Sequence, residues 1–215
     1  MKLFLRREML FIFFCLSFIL VSCQEERKPK EYNSMSHENI ILEKATHLLK
    51  APKDQLFFDK IDKRFFKKFT FFRVYSSDFP SKSVVLAISE DKRLFSLFPK
   101  NEFNKIVKEE GIMVETQDRA LEYAQFYLRL IKRYGYEVLN DIRDVDGTRE
   151  DQIRKYAGKV KPPSVDFNST GYAVEFFTWG LGEIEKHSFQ INKLGKVSHH
   201  SITMAKKIGN FITLE

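Results

Sequence analysis

Residues 116–134 read TQDRALEYAQFYLRLIKRY and carry the clearest structural signal of the chain. Thr116 is a favourable N-cap residue, and Asp118 lies in the first turn, where the helix dipole favours negative charge. Lys132 and Gly135 suit the C-terminal end. The sequence therefore predicts an amphipathic helix with an apolar stripe. The stripe consists of Ala120, Leu121, Ala124, Leu128, Ile131 and Tyr134.

Three segments nearer the C-terminus have the composition of β-strands. Residues 172–179, 183–191 and 196–204 are rich in β-branched and aromatic side chains. Residues 180–182 and 192–195 separate them and contain glycine, as hairpin connections often do. These segments predict an antiparallel meander with the helix packed across one face. The expected fold class is α+β.

The layout of this second half, a helix lying across a meander, resembles the cystatin-like folds. These include the nuclear-transport-factor-like and PepSY-type domains. Because such folds carry many functions, the resemblance implies an architecture and no particular activity.

The first half of the chain shows a similar order of elements. Ser36 can cap a helix over residues 37–50, which Pro52 ends. Further on, the sequence predicts a helix in the first half of residues 60–75 and a strand in the second half, strands at 83–89 and 94–98, and a helix at 101–110. A helix followed by strands thus occurs twice, so residues 37–111 and 112–215 are candidate halves of a duplication.

The N-terminus has the pattern of an export signal. Lys2, Arg6 and Arg7 precede an apolar run over residues 9–21, which is shorter than the roughly 20 residues of a membrane span. An uncleaved membrane helix is the alternative interpretation.

The apolar run ends in Leu20-Val21-Ser22-Cys23, which resembles the lipobox of bacterial lipoproteins. The resemblance implies that a signal peptide of residues 1–22 is removed and that Cys23 carries a diacylglycerol and often an amide-linked acyl chain such as palmitate. The protein would then be anchored by lipid on the periplasmic or cell-surface side. Gln24 stands where an aspartate would favour retention at the inner membrane, so the outer membrane is favoured.

Chain length favours one domain after this anchor. Residues 23–36 are polar and charged and predict a flexible tether, which leaves residues 37–215 as the globular domain. The formal net charge of +7 is mild for this length, so no nucleic-acid partner is expected. The two cysteines are Cys15 in the leader and Cys23, so disulfides and thiol catalysis are excluded from the mature chain.

An acidic stretch near the middle of the chain is a first candidate metal site. Residues 144–148, DVDGT, match the first motif of haloacid-dehalogenase-type phosphatases, although a buried apolar strand should precede that motif. Asp144 and Asp146 could also hold calcium with their acidic neighbours, but the spacing departs from the EF-hand. The alternative is a charged, exposed connection over residues 140–164 with a short helix at 150–156.

Three histidines on the last hairpin are a second candidate. A four-residue loop would set His187 opposite His200, with Glu185 on the same face. A bulged three-residue loop would instead bring His187 diagonally near His199. Either register puts two imidazoles within reach of one ion, but no third ligand is evident, so no metal or other cofactor is expected.

Common catalytic signatures are absent from the sequence. It contains no Gly-x-Ser-x-Gly elbow, glycine-rich phosphate loop, His-Glu-x-x-His pair or dinucleotide fingerprint. We therefore expect a lipid-anchored envelope protein that binds an unidentified envelope or extracellular partner and is not an enzyme. The alternatives are a metal-dependent hydrolase or metal-binding envelope protein, and a structural envelope protein.

Overall fold

The computed structural model describes residues 36–78, 82–98, 102–132 and 135–210. The predicted signal peptide and the lipobox with Cys23 lie outside these described residues. Residues 37–215 form one compact unit. In the described part of this unit, two antiparallel sheets and four α-helices give the predicted α+β fold.

The first sheet is a meander of four strands, each paired with the next along the chain. Its elements, with the helix that precedes them, are α1 (His37–Leu49), β1 (Leu56–Ile61), β2 (Phe69–Ser76), β3 (Ser83–Ser89) and β4 (Leu94–Phe98). Ile41 and Ala45 of α1 pack against Phe72 and Leu86 on one face of this sheet. Because the opposite face is covered as well, β3 is buried along its whole length.

The second sheet contains the predicted C-terminal meander. Its strands are β5 (Glu137–Leu139), β6 (Ser164–Asn168), β7 (Gly171–Gly180), β8 (Glu183–Ile191) and β9 (Val197–Lys206). β7, β8 and β9 pair in sequence order. Two short strands that the sequence did not predict, β5 and β6, pair with different parts of β7: Leu139 lies opposite Phe177, and Val165 lies opposite Val174.

Two helices lie between the sheets, α2 (Phe103–Glu110) and α3 (Gln117–Ile131). One buried cluster contains Phe71 of the first sheet, Phe126 of α3 and Phe176 of the second sheet. The rings of Phe71 and Phe126 meet edge-on with centroids 5.8 Å apart. Such ring pairs contribute about 0.5–1.5 kcal/mol beyond the burial of apolar area. The two predicted halves thus share one core, and their duplication stays a prediction.

The helix predicted at residues 116–134 is confirmed as α3, with ends at 117 and 131. The Thr116 hydroxyl accepts a hydrogen bond from the backbone N–H of Arg119 at 3.2 Å, so the predicted N-cap is also confirmed. The helices predicted near residues 37–50 and 101–110 are present as α1 and α2.

The helix predicted at the start of residues 60–75 is wrong. β1 occupies residues 56–61, and a turn follows up to the start of β2. Phe65 in this turn lies edge-on to Tyr123 of α3, with ring centroids 5.1 Å apart. Ile61, Phe65 and Phe69 all contribute to the central core from a strand end, a turn and a strand start. Their four-residue spacing therefore imitated a helical stripe.

The connection over residues 140–164 covers the part of the outer face of the second sheet that contains Phe177, Ile184 and Ala205. The helix predicted at 150–156 is confirmed as α4 (Glu150–Tyr156). Ile142 and Val145 are buried, and they pack in one cluster with Phe177 and Ile184. Most charged side chains of this connection are exposed, as predicted, but its buried apolar residues close the core on that side.

Because one central cluster joins both sheets, residues 37–215 should unfold in a single transition. Phe126→Ala removes a ring that is 2 % exposed and should lower the free energy of unfolding by about 3–5 kcal/mol. Phe57→Ala, at a ring that is 51 % exposed, is the control and should cost less than about 1 kcal/mol. Urea unfolding followed by circular dichroism measures both. Two separate transitions in the unsubstituted protein would contradict a shared core.

Candidate functional site

The last hairpin brings two of its three histidines together. β8 and β9 are joined by residues 192–196, a longer connection than either loop expected from the sequence. In the observed register Phe189 lies opposite His199 and His187 lies opposite Ser201, so His187 and His199 are diagonal neighbours on the inner face. His200 lies opposite Ser188 and therefore points to the outer face.

His187 is at the centre of a buried polar chain. Its side chain is 0 % exposed, its Nδ1 lies 3.1 Å from Nε2 of His199, and its Nε2 lies 2.9 Å from the Thr178 hydroxyl oxygen. A carboxylate oxygen of Glu185 is 3.5 Å from the same Nε2. Glu185 in turn bonds to Nζ of Lys132 at 2.6 Å. Polar groups thus run from the inner face of the second sheet to the end of α3.

Both imidazoles are neutral at neutral pH. Burial lowers the pKa of His187 to about 3, with a further contribution from the nearby His199. Burial lowers the pKa of His199 to about 4, although Glu185 acts in the opposite direction. Neutral imidazole has one N–H and one lone pair, so one ring donates to the other. His199 also stacks on Phe189, with ring centroids 4.4 Å apart.

The facing nitrogens of His187 and His199 share a hydrogen bond with each other. Within residues 36–210 as far as they are described, no group of three or more His, Cys, Asp or Glu side chains is arranged to hold a metal. A metal between His187 and His199 would have to replace their mutual hydrogen bond, since a ligating nitrogen presents its lone pair to the ion.

Two carboxylates of the acidic stretch, those of Asp141 and Asp144, stabilise a local turn. One carboxylate oxygen of Asp144 accepts hydrogen bonds from the backbone N–H groups of Asn140 and Asp141 at 2.6 and 2.9 Å. The side-chain hydrogen bond from Arg143 holds the pKa of Asp141 at about 2. The backbone carbonyl of Asp146 accepts a hydrogen bond from Asn210 at 3.0 Å. These hydrogen bonds cap a turn whose buried residues, Ile142 and Val145, close the core.

A pocket of about 520 Å³ lies where the C-terminal end of α3 meets the edge strands β1 and β5. We call it the cationic pocket, because three of its side chains are basic. Its lining residues are Ile61, Arg73, Gln125, Arg129, Lys132, Gly135, Tyr136 and Val138.

Arg73 is the most enclosed of the three basic residues. It lies on β2, and its Nη2 donates to the backbone carbonyl of Arg129 in the last turn of α3 at 2.5 Å. Its Nε is buried and has no hydrogen-bond partner. Burial lowers the pKa of this guanidinium, and Asp59, its neighbour on β1, acts in the opposite direction. A buried N–H without a partner costs about 1–3 kcal/mol, so the enclosure of this guanidinium is unfavourable in itself.

The pocket is also connected to the buried histidines. Lys132 lines the pocket and bonds to Glu185, which contacts His187. The Tyr136 hydroxyl, which also lines the pocket, donates to the Gln125 backbone carbonyl at 3.2 Å, and burial raises the pKa of this phenol to about 12. The phenol therefore adds no negative charge.

Positive charge exceeds the neighbouring negative charge at this pocket. Glu185 neutralises Lys132, and Asp59 partly offsets Arg73. Arg129 is exposed and forms no ion pair with any residue that the structure describes. A carboxylate or phosphate is therefore the ligand chemistry that the pocket favours.

Sequence reasoning missed this pocket because its residues come from separate elements. One signal was present: Arg73 follows Phe69 and Phe71 at alternate positions of β2, so a cation occupies an inward position of a buried strand. A buried cation in such a position requires a partner.

The comparisons with known proteins name no relative. No protein-family model, no curated protein and no solved structure matches this chain. Among the residues described, no helix is both long enough and apolar enough to cross a membrane.

The histidine pair predicts loss of stability in acid. Both pKa values in the folded state, about 3 and about 4, lie below the ordinary value of 6.5, so the unfolded chain binds protons first as the pH falls. The stability that the neutral histidines contribute is complete above about pH 6.5. It should decrease by about 3 kcal/mol or more on going to pH 4, since one such histidine alone changes stability by up to about 1.4 kcal/mol per pH unit.

Urea unfolding at several pH values measures this slope. His187→Phe should flatten it between pH 6.5 and 4, whereas His47→Gln, at an exposed position on α1, should leave it unchanged. An equal slope in the His187→Phe variant would show that other groups cause the acid sensitivity.

Proposed function

We propose that the protein is a lipid-anchored binding protein of the bacterial envelope, and that it holds a small anionic ligand in the cationic pocket. The observation that carries the ligand class is the convergence of three basic side chains, Arg73, Arg129 and Lys132, on one pocket. The lipobox-like sequence ending at Cys23 supports the anchor. Location in the outer membrane follows from Gln24 and is part of the proposal.

The shape of the pocket suits a small molecule. Its volume of about 520 Å³ is within the range of about 300–1,000 Å³ that ligand sites usually have. Arg73, Arg129 and Lys132 can contact an acidic group. Ile61 and Val138 provide apolar contacts for the rest of the ligand. Guanidinium groups bind carboxylate and phosphate through paired hydrogen bonds, which gives orientation as well as affinity.

Titration calorimetry on residues 37–215 tests the ligand class. The probes are inorganic phosphate, succinate and benzoate, with glucose as a neutral control. At least one anion should bind and glucose should not. Arg129→Gln should weaken the binding about tenfold, because it removes an exposed cation without removing a core contact. Arg73→Gln should abolish it, but that residue also bonds to the end of α3.

The matched control for Arg129→Gln is Arg154→Gln. Arg154 is an exposed arginine on α4, outside the pocket, and its side chain is 79 % exposed. The Arg154→Gln variant should bind the anion as tightly as the unsubstituted protein does. Failure of all three anions to bind, or equal effects of the two substitutions, would refute the proposed ligand class.

The anchor has its own test. Cys23→Ala in the full chain should abolish labelling by a radioactive fatty acid in the producing bacterium, because it removes the thiol that carries the lipid. The unprocessed precursor should accumulate at the same time. Continued labelling of the variant would refute the lipid-anchor proposal and leave the anion pocket unaffected.

The observed geometry supports a metal-dependent protein less well than it supports an anion-binding protein. Its best donors, His187 and His199, are hydrogen-bonded to each other. Asp144 is occupied by two backbone N–H groups. Elemental analysis of the protein purified without chelator would reverse this ranking if it found stoichiometric metal that was lost in a His187→Ala variant. The structural-protein alternative would require a stable assembly in the same preparation.

A further inference from the structure

Three large apolar side chains are exposed close together, away from the cationic pocket. Met113 in the link between α2 and α3 is 45 % exposed, Phe167 on β6 is 55 % exposed, and Leu194 in the β8–β9 turn is 64 % exposed. Met113 and Leu194 line one groove, and Met113 and Phe167 line the next. The three side chains therefore belong to one continuous face.

Four lysines surround these apolar side chains. Lys105, Lys108 and Lys196 line the groove that holds Met113 and Leu194, and Lys193 lines the other. We call this surface the lysine-rimmed face: Lys105, Lys108, Met113, Phe167, Lys193, Leu194 and Lys196.

The backbone holds this face in a fixed shape. The N–H of Val114 donates to the carbonyl of Lys193 at 2.9 Å, which joins the α2–α3 link to the β8–β9 turn. At Gly195 φ is +71°, and a Cβ there would lie 2.7 Å from a methyl carbon of Ile112. Only glycine accommodates this close approach without strain. The turn thus lies against Ile112 while the preceding Leu194 remains exposed.

The net charge of the face is positive. Glu102 bonds to Lys105 at 2.9 Å, and Glu115 lines the second groove. The Nζ of Lys193 lies 5.3 Å from the centre of the Phe167 ring, so at this point the cation and the apolar side chain form a single amphipathic unit. Lys108 and Lys196 have no ion-pair partner among the residues that the structure describes.

We propose that the lysine-rimmed face docks on an anionic lipid surface. Leu194, Met113 and Phe167 enter the headgroup region, and the surrounding lysines contact lipid phosphates. Charge complementarity supports this occupant, since each lysine near an anionic membrane strengthens binding about fivefold. Lysine is depleted in the cores of protein interfaces, so four lysines around three separate apolar side chains suit a lipid surface better than a second protein.

The inference does not depend on the lipid at Cys23 or on the cationic pocket. Where both contacts are present, the anchor raises the local concentration of lipid at the face, so weak affinity is enough. Binding by the unlipidated residues 37–215 therefore tests the face alone. Because the variants below lie outside the cationic pocket, their effects are separable from anion binding.

The experiment is sedimentation of residues 37–215 with vesicles. Vesicles of equal parts phosphatidylglycerol and phosphatidylcholine should bind the protein at least tenfold more strongly than pure phosphatidylcholine, and added salt should weaken the binding. Leu194→Asn should reduce partitioning about tenfold, since it removes the most exposed apolar contact. Lys193→Gln and Lys196→Gln should each reduce it about fivefold.

Matched controls lie on other surfaces. Ile202→Asn changes a side chain that is 52 % exposed on the outer face of the second sheet, and Lys60→Gln changes an exposed lysine on β1. Both should bind vesicles as well as the unsubstituted protein does. The inference would be overturned by absence of binding to the anionic vesicles, or by equal losses in the variants and the controls. It would also be overturned if monomeric laurate bound stoichiometrically while vesicles did not.

Discussion

The burial of α3 between two sheets is the constraint on which the rest of the structure depends. An ordinary surface helix needs one apolar stripe, but this helix contacts strands of both sheets and needs apolar residues around most of its circumference. Tyr123, Phe126 and Tyr127 supply them, and the two helix faces join the sheets into one core. The requirement has a cost, because the Tyr123 hydroxyl is buried without a hydrogen-bond partner. The packing of large rings from all sides has to offset that cost.

The same burial explains why basic residues gather at the end of the helix. The last carbonyls of a helix lack partners within it and carry partial negative charge. At the end of α3 the Arg73 guanidinium donates to the carbonyls of Arg129 and Leu130. This structural role occupies Nη2 and leaves Nε unpaired.

Elements whose signals are local could be predicted from the sequence, and features that depend on distant partners could not. The Thr116 cap and the stripe of Ala120, Ala124 and Leu128 identified α3 and one of its buried faces. The second buried face was missed because the search for an amphipathic stripe assumes one packed side. The prediction of a helix near Phe65 was wrong for a related reason. Side chains from different elements pack against α3, and their four-residue spacing is a coincidence. The cationic pocket combines β2, α3 and β5, so no single window of sequence contains it.

For the histidine pair, the strand register decides which side chains can form hydrogen bonds. Loop length decided whether His187 would meet His199 or His200, and the sequence left both open. In the observed register the imidazoles belong to a bonded chain from Thr178 to Lys132. That chain holds Glu185 in position, and Glu185 fixes the Lys132 ammonium at the wall of the cationic pocket. Protonation of either imidazole would place a new positive charge beside Lys132 and compete for Glu185. The electrostatics of the pocket are therefore coupled to residues that contribute nothing to its surface.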